Sequence, residues 1–256
     1  MTAHPRRILL APGYILHHRP YRDTSRILEV LVRDHGRLTL FARGVRGAKP
    51  RFAGVLQPFD LLLLSFQQGR EAGQLTGAEG AESMRPLPAG RLMAGFYLNE
   101  LLLKLTARHD PMAEVFEDYR QALGGLRAGG RIEAVLRVFE KRLLEALGYG
   151  VDLTSEARTG KAIAAEGYYR YRASEGLVPA GRGDAEAVAG SSILALAREE
   201  LGEGAGDEPG KAPAPGRVLE DARTVLKAAL AERLEGKELA TRKVARAVAS
   251  RGRSRT

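Results

Sequence analysis

Residues 25–42 read SRILEVLVRDHGRLTLFA, and this stretch decides the fold. Ile27, Leu28, Val30 and Val32 are apolar in partial alternation, as a strand with one buried face requires. Asp34-His35-Gly36 is a tight-turn signal, and residues 37–42 then alternate again. Two such runs joined by a short turn predict a β-hairpin. Before the hairpin, residues 14–18 predict a short strand. Beyond it, residues 59–66 (FDLLLLSF) are a nearly continuous apolar strand, Gly69 a turn, and residues 74–82 a last strand. Roughly five short strands with one long irregular connection fit a small barrel or sandwich.

The long connection is residues 41–59, FARGVRGAKPRFAGVLQPF. It carries Arg43, Arg46, Lys49 and Arg51 and no acidic residue, with Phe41, Phe52 and Phe59 among the charges. Gly44, Gly47, Gly54, Pro50 and Pro58 break regular structure, so a mobile basic loop between strands is expected. A basic segment with aromatics suits a phosphodiester strand, because cations track the phosphates and rings stack on bases. Arg37, Arg43, Arg46, Lys49 and Arg51 are the expected phosphate contacts. Tyr14, Phe41 and Phe52 are the expected stacking residues. The competing readings are a solvated hairpin loop and, for Phe41, a place in the barrel core, since alternate strand residues face inward. Among small barrels, the oligonucleotide-binding (OB) fold suits such a loop best.

The charge distribution agrees. Residues 1–59 hold 11 Lys and Arg against 3 Asp and Glu, and residues 237–256 hold 7 against 1. The stretch between them holds 22 against 27, within a chain of formal net charge +9. Basic ends on a mildly acidic body point to a polyanion, with nucleic acid first and an anionic membrane surface second. With no Cys there is no disulfide and no thiolate metal site. Residues 1–7 lead into a short strand-like run broken at Pro12-Gly13, which does not read as a signal peptide. The longest apolar run, near residues 101–105, is too short to span a bilayer. A cytoplasmic protein, nucleoid-associated if the polyanion is DNA, is expected.

After Pro86 and Pro88 the pattern turns helical. Residues 92–105 are apolar almost all round and predict a buried helix. Asn99 and Glu100 interrupt it, and buried polar groups need partners on a neighbouring helix or loop. Asp110-Pro111 predicts a helix start. Met112, Val115, Phe116, Tyr119 and Leu123 follow at helical spacing, and Gly124-Gly125 and Gly129-Gly130 bound an expected break. Ile132, Val135, Leu136, Phe139, Leu143 and Leu147 line another face, closed by Gly148. Residues 167–178 predict a hairpin turning at Ser174-Glu175-Gly176, and Ser191 or Ser192 a helix cap. Residues 202–216 (GEGAGDEPGKAPAPG) read as a flexible insert, residues 217–234 as helix, and residues 251–256 as a disordered basic tail.

No catalytic motif emerges. Thr159-Gly160-Lys161-Ala162 lacks the earlier glycine and the hydroxyl that a phosphate-binding loop needs. His17 and His18, as strand neighbours, point to opposite faces and do not share a metal. No nucleophile elbow or paired-carboxylate pattern stands out. A binding protein with no catalytic residue, no metal and no cofactor is therefore expected.

Across most of its length the chain resembles the bacterial RecO recombination and repair mediators. Gly13 to Ile15 with Tyr21, Thr24-Ser25 and Leu28 resembles that family's first two strands. Gly36-Arg37 and Arg43-Gly44-Val45-Arg46 resemble its next strand and basic loop, and Leu56-Gln57-Pro58-Phe59 the following strand start. Tyr97-Leu98-Asn99-Glu100-Leu101 resembles its central helix. Arg137-Val138-Phe139-Glu140, Leu143-Leu144 and Leu147-Gly148-Tyr149-Gly150 resemble its next block.

The resemblance implies an α+β chain with an N-terminal OB-fold β-barrel at residues 1–83 and a helical core at 84–150. It further implies a metal-free remnant of a zinc-ribbon-like element at 151–190, since many members carry four cysteines there, and C-terminal helices packing on the helical core at 191–250. The implied activity is binding of single- and double-stranded DNA and annealing of complementary strands. RecR, sometimes RecF, and the tail of single-strand-binding protein (SSB) are the implied partners in loading RecA. An SSB tail needs an apolar floor and a cation, which Leu136, Phe139, Arg137 and Lys141 offer. Their plain alternative is a surface ladder of Glu133, Arg137 and Lys141. The alternative for the whole chain is an OB-fold RNA-binding or ribosome-associated factor.

Overall fold

The computed structural model describes residues 6–46, 49–69, 71–81, 86–201, 215–234, 238–241 and 243–244. Most of the expected 202–216 insert and all of the 251–256 tail lie outside the described residues. The chain divides into two compact units. The first holds the described residues up to Arg127 together with those from Leu239 onward, and the second runs from Ala128 to Glu238. The expected helical core at 84–150 is thus divided between the two units.

In the first unit, β1 (Arg7–Tyr21), β2 (Ser25–Val32), β3 (Gly36–Ala42), β4 (Leu62–Gln67) and β5 (Gly73–Gly80) form a closed, OB-like barrel in the order β1-β2-β3-β5-β4. The β2–β3 hairpin turns where its sequence says it does, with Val32 opposite Gly36. Gly36 has φ +69°, and a Cβ there would lie 2.1 Å from the Asp110 carbonyl oxygen, so only glycine fits. Closure comes from antiparallel β1–β4 pairing and a short parallel contact of Leu40 and Phe41 with Gly73 and Gln74. Alternate residues such as Leu28, Val30, Leu38, Leu40, Leu64 and Phe66 fill the interior.

Strand β1 has 15 residues where a short strand at 14–18 is expected. Register shifts between Ile8 and Ala11 and between Ile15 and His17 bend it, so one strand pairs with both β4 and β2. The second shift ends just before His17; from there the pairing is regular, with His17 opposite Glu29 and His18 opposite Leu28, and the two exposed rings lie nearly parallel with centroids 6.5 Å apart. Strand β4 begins at Leu62 rather than at 59, because Phe59 is in the left-handed region at φ 72°.

Helix α1 (Leu92–Leu105) packs on β1, and α2 (Ala113–Arg127) completes this unit. Asn99, 2% exposed, donates to the Leu16 carbonyl at 2.8 Å and accepts from the Tyr119 hydroxyl at 2.5 Å. One buried amide thereby joins β1, α1 and α2 with both its ends satisfied. Glu100 accepts from the Ala240 and Thr241 amides and the Thr241 hydroxyl at 2.7–2.9 Å, which hold its carboxyl below its usual value against the effect of burial. Both interrupting residues thus have the partners their sequence position demands. Helix α2 starts at Ala113, later than Asp110-Pro111 suggests, because the preceding segment is paired with β3: His109 N–H donates to the Arg37 carbonyl. It runs through Gly124-Gly125 and ends at Arg127, so the break falls between the two glycine pairs, with Gly129 left-handed at φ 89°.

In the second unit, α3 (Ile132–Ala146) and α4 (Gly190–Ala197) pack on α5 (Pro215–Arg233). Strands β6 (Tyr168–Arg172), β7 (Gly176–Pro179) and β8 (Val188–Ala189) form a sheet in the order β7-β6-β8. The β6–β7 hairpin turns at the expected residues, and Gly148, at φ 77°, closes α3. Ser192 is buried within α4 rather than capping it; Ala189 holds the N-cap position. In the stretch expected to be a metal-free remnant, Asp152 accepts from the amides and hydroxyls of both Thr154 and Ser155. Those bonds, the Ser155 hydroxyl foremost, bring its carboxyl down to about 2. Leu153, Ile163, Tyr169 and Leu177 are buried. Among the described residues no group of three His, Cys, Asp or Glu could hold a metal ion, and no helix is long and apolar enough to cross a membrane.

Candidate nucleic-acid interface

The basic loop after β3 is anchored where a mobile loop is expected. Val45 and Leu56 are buried in the barrel core, and Phe52 packs partly against it. Arg51 N–H donates to the Gly44 carbonyl at 2.7 Å, and Arg46 N–H donates to the Thr24 carbonyl in the β1–β2 turn at 3.0 Å. Glycines and prolines mark irregular backbone, yet apolar residues between them fasten it. The cations are left on the outside by this anchoring. Arg43 and Lys49 are exposed. The Arg46 guanidinium reaches the Arg22 carbonyl at 3.4 Å. Arg51 donates to the Thr76 carbonyl at 3.2 Å and lies 4.9 Å over the Phe52 ring. A carbonyl or a ring fixes a guanidinium without neutralising it, so these charges remain available to a phosphate.

Arg37 is different. Its side chain is 13% exposed, pairs with Glu29 at 3.2 Å and donates to the Thr106 carbonyl at 2.8 Å. Burial lowers its pKa from the usual guanidinium value, against the pull of Glu29. Glu29 also accepts from Thr39 and Arg108. Arg37 therefore locks β2, β3 and the segment after α1 together, and is not a phosphate contact.

Tyr14 is also removed from the expected set. It is fully buried, with its ring 5.2 Å from Phe116 and edge-on to Tyr119 at 5.0 Å. It points to the outer face of the barrel that α2 covers, so it cannot stack on a base. Phe41 resolves the other way. Its neighbours Leu40 and Ala42 face the core, which turns Phe41 outward and half-buries it. There it meets Tyr21, ring centroids 5.4 Å apart.

That contact brings in residues which sequence reasoning missed as site residues. Tyr21 ends β1, and Arg22, at φ 51°, places its guanidinium 5.2 Å over the Tyr21 ring. An aromatic followed by arginine, ahead of Asp23-Thr24 and the next strand, is the signal that could have found them. Together Arg22, Arg43, Lys49 and Arg51 are exposed cations in the β1–β2 turn and the loop after β3, with Tyr21, Phe41 and Phe52 as half-buried rings.

The expected tail groove on α3 does not assemble. Arg137 and Phe139 are buried, and Arg137 pairs with the fully buried Glu140 at 2.6 Å rather than with Glu133. Lys141 bridges Glu145 at 3.3 Å and Glu199 at 3.1 Å, while Leu136 is half-buried. The helix turns these charges into its own unit.

Comparison with known proteins agrees with the fold. Residues 7–84 match the family model described as Recombination protein O N terminal, and residues 89–243 that of Recombination protein O C terminal. The chain is similar to the DNA repair protein RecO of Methylococcus capsulatus, 47% identical over 192 residues, covering 75% of this chain and 79% of that one. It is 41% identical over 197 residues to that of Nitrosococcus oceani, covering 76% and 80%. With that of Alkalilimnicola ehrlichii it shares 39% identity over 256 residues, covering 98% and 96%.

Proposed function

This chain belongs to the RecO family of DNA repair and recombination proteins, and from that premise we propose that it is a mediator without catalytic activity of its own. It binds single- and double-stranded DNA through the barrel, anneals complementary strands and, with RecR, helps load RecA onto SSB-coated strands in the cytoplasm, at the nucleoid. RecF takes part in some of these loading events as an indirect partner. The observation that carries this reading is the set of exposed cations, Arg22, Arg43, Lys49 and Arg51, beside Phe41 and Phe52. Each phosphate neutralised there releases condensed counterions, which is why binding weakens steeply with salt. Annealing follows from charge, since a cationic surface holding two strands lowers their mutual repulsion. Contact with the SSB tail belongs to the same proposal, at a seat other than the buried Arg137 and Phe139.

The test is annealing of complementary labelled strands precoated with SSB, comparing the wild type with Arg43→Ala/Arg46→Ala/Arg51→Ala. Fast annealing that collapses in the triple variant and at high salt is expected. Annealing indifferent to the three substitutions would move the strand elsewhere. Preference for RNA in competition would favour an RNA-binding factor, and strand cleavage with magnesium would favour an enzyme.

A further inference from the structure

A cavity of about 600 Å³ opens beside the loop cations, lined by Tyr21, Phe41, Arg22, Arg43, Asp23 and Thr24. Its volume falls within the roughly 300–1,000 Å³ typical of small-ligand sites. Its chemistry is mixed in a particular way. Two aromatic rings meet in its wall, one of them under a guanidinium. A second guanidinium, Arg43, and a single carboxylate, Asp23, complete it. Arg46 ties the turn that lines it to the loop, donating from its backbone to the Thr24 carbonyl and from its side chain to the Arg22 carbonyl. Arg22 itself sits in the left-handed region, where a side chain other than glycine is strained. Strained backbone retained by neighbouring bonds is a common mark of a preorganised binding turn.

We propose that this cavity takes one unpaired base of the strand whose phosphates lie on the loop, an inference that rests on the DNA-binding reading above. The base packs against Tyr21 and Phe41, and its phosphate meets Arg43. Asp23 sets a preference. A carboxylate accepts from the exocyclic amine of cytosine, as it does in groove recognition. Thymine presents its O4 carbonyl at the equivalent position, which a carboxylate repels. The site therefore favours cytosine over thymine while the loop remains indifferent to sequence.

The test compares three strands of equal length, oligo(dC), oligo(dT) and an abasic deoxyribose-phosphate oligomer, by fluorescence anisotropy with the full chain. Oligo(dC) is expected to bind about tenfold more tightly than the abasic strand, as one stacked base contributes, and a few-fold more tightly than oligo(dT). Tyr21→Ala is expected to lower oligo(dC) about tenfold, toward the abasic level, while abasic binding falls far less, and an unchanged circular dichroism spectrum shows that the variant is folded. Asp23→Asn, at an exposed turn position, is expected to erase the preference for oligo(dC) over oligo(dT). Wild-type binding equal for all three strands overturns the base pocket and leaves the DNA reading intact. No binding to any strand overturns that reading itself. Equal loss of both strands in Tyr21→Ala, or complete displacement of oligo(dC) by millimolar dCMP, overturns the assignment to a strand base.

Discussion

The loop after β3 and helix α3 both carry cations that suit a polyanion, and the structure uses them in opposite ways. On the loop, Arg46 and Arg51 donate to the carbonyls of Arg22 and Thr76, and Arg51 rests on a ring. Around α3, Arg137 pairs with Glu140, while Lys141 and Arg142 both reach Glu199. A carbonyl orients a cation and leaves its charge in the field; a carboxylate cancels it. Counting Lys and Arg along a chain cannot tell these cases apart. What matters for a polyanion partner is the acceptor each cation has already found.

The comparison can be broken most forcefully at Arg137. Glu140 is fully buried, and removing one partner of a buried pair costs about 3–5 kcal/mol. Arg137→Ala is expected to lower the unfolding transition of the second unit by that order while strand affinity stays at the wild-type value. Denaturant melting followed beside anisotropy reads both. A large loss of strand affinity in a folded Arg137→Ala protein would mean that a carboxylate-paired cation still serves the partner.

The converse concerns the salt dependence of binding. Arg43→Ala/Arg46→Ala/Arg51→Ala is expected to flatten the plot of log affinity against log salt by roughly two for single strands, at about 0.7 for each phosphate left without its cation. An unchanged slope would show that carbonyl-held cations contribute nothing.

Arg37 sharpens the contrast, because it lies in the same unit as the loop yet is held by a carboxylate. Arg37→Ala is expected to leave the salt slope unchanged and to destabilise the first unit by about 1.5–3 kcal/mol, the range for a hydrogen bond to a charged group. A flattened slope at normal stability would return it to the phosphate set.

The smallest effect expected is at Asp152. Its carboxyl lies at about 2 in the folded chain, below its unfolded value near 3.9. It thus contributes stability that is present above about pH 4 and lost as pH falls toward 2. Asp152→Asn is expected to shallow the acid limb of unfolding in that window, read by circular dichroism. An identical acid limb would show that the Thr154 and Ser155 bonds add nothing in solution.

The barrel is legible because β3 carries period-two burial and its hairpin a turn that only one register satisfies. The pairing of Arg37 follows from that same register. With Val32 opposite Gly36, Glu29 faces Thr39 and becomes the diagonal neighbour of Arg37 on the same face. Clustering of charge along the chain pointed instead to a phosphate, because it ignores the partner strand. Tyr14 was not legible. Its strand is bent by two register shifts, and its outer face is covered by a helix about a hundred residues later in sequence, where local pattern carries no information. The outward turn of Phe41 follows from the alternation of β3 once that strand is fixed. The recess beside it needed the β1–β2 turn and the loop to be placed together, which no single stretch of sequence contains. On α3, the helical period was plain, but it could not say that Glu140, rather than Glu133, would take Arg137.

The bonds from Ala240 and Thr241 to Glu100 set an order of assembly. Their partners are about 140 residues apart, and the whole second unit is encoded between them. A ribosome adding about 5–20 residues per second needs on the order of ten seconds to bridge that interval. The barrel and its two helices are made before the second unit, yet the Glu100 carboxylate waits for its Ala240 and Thr241 donors until that whole unit has been translated. Of the two units, the one whose synthesis starts first is therefore the one completed last.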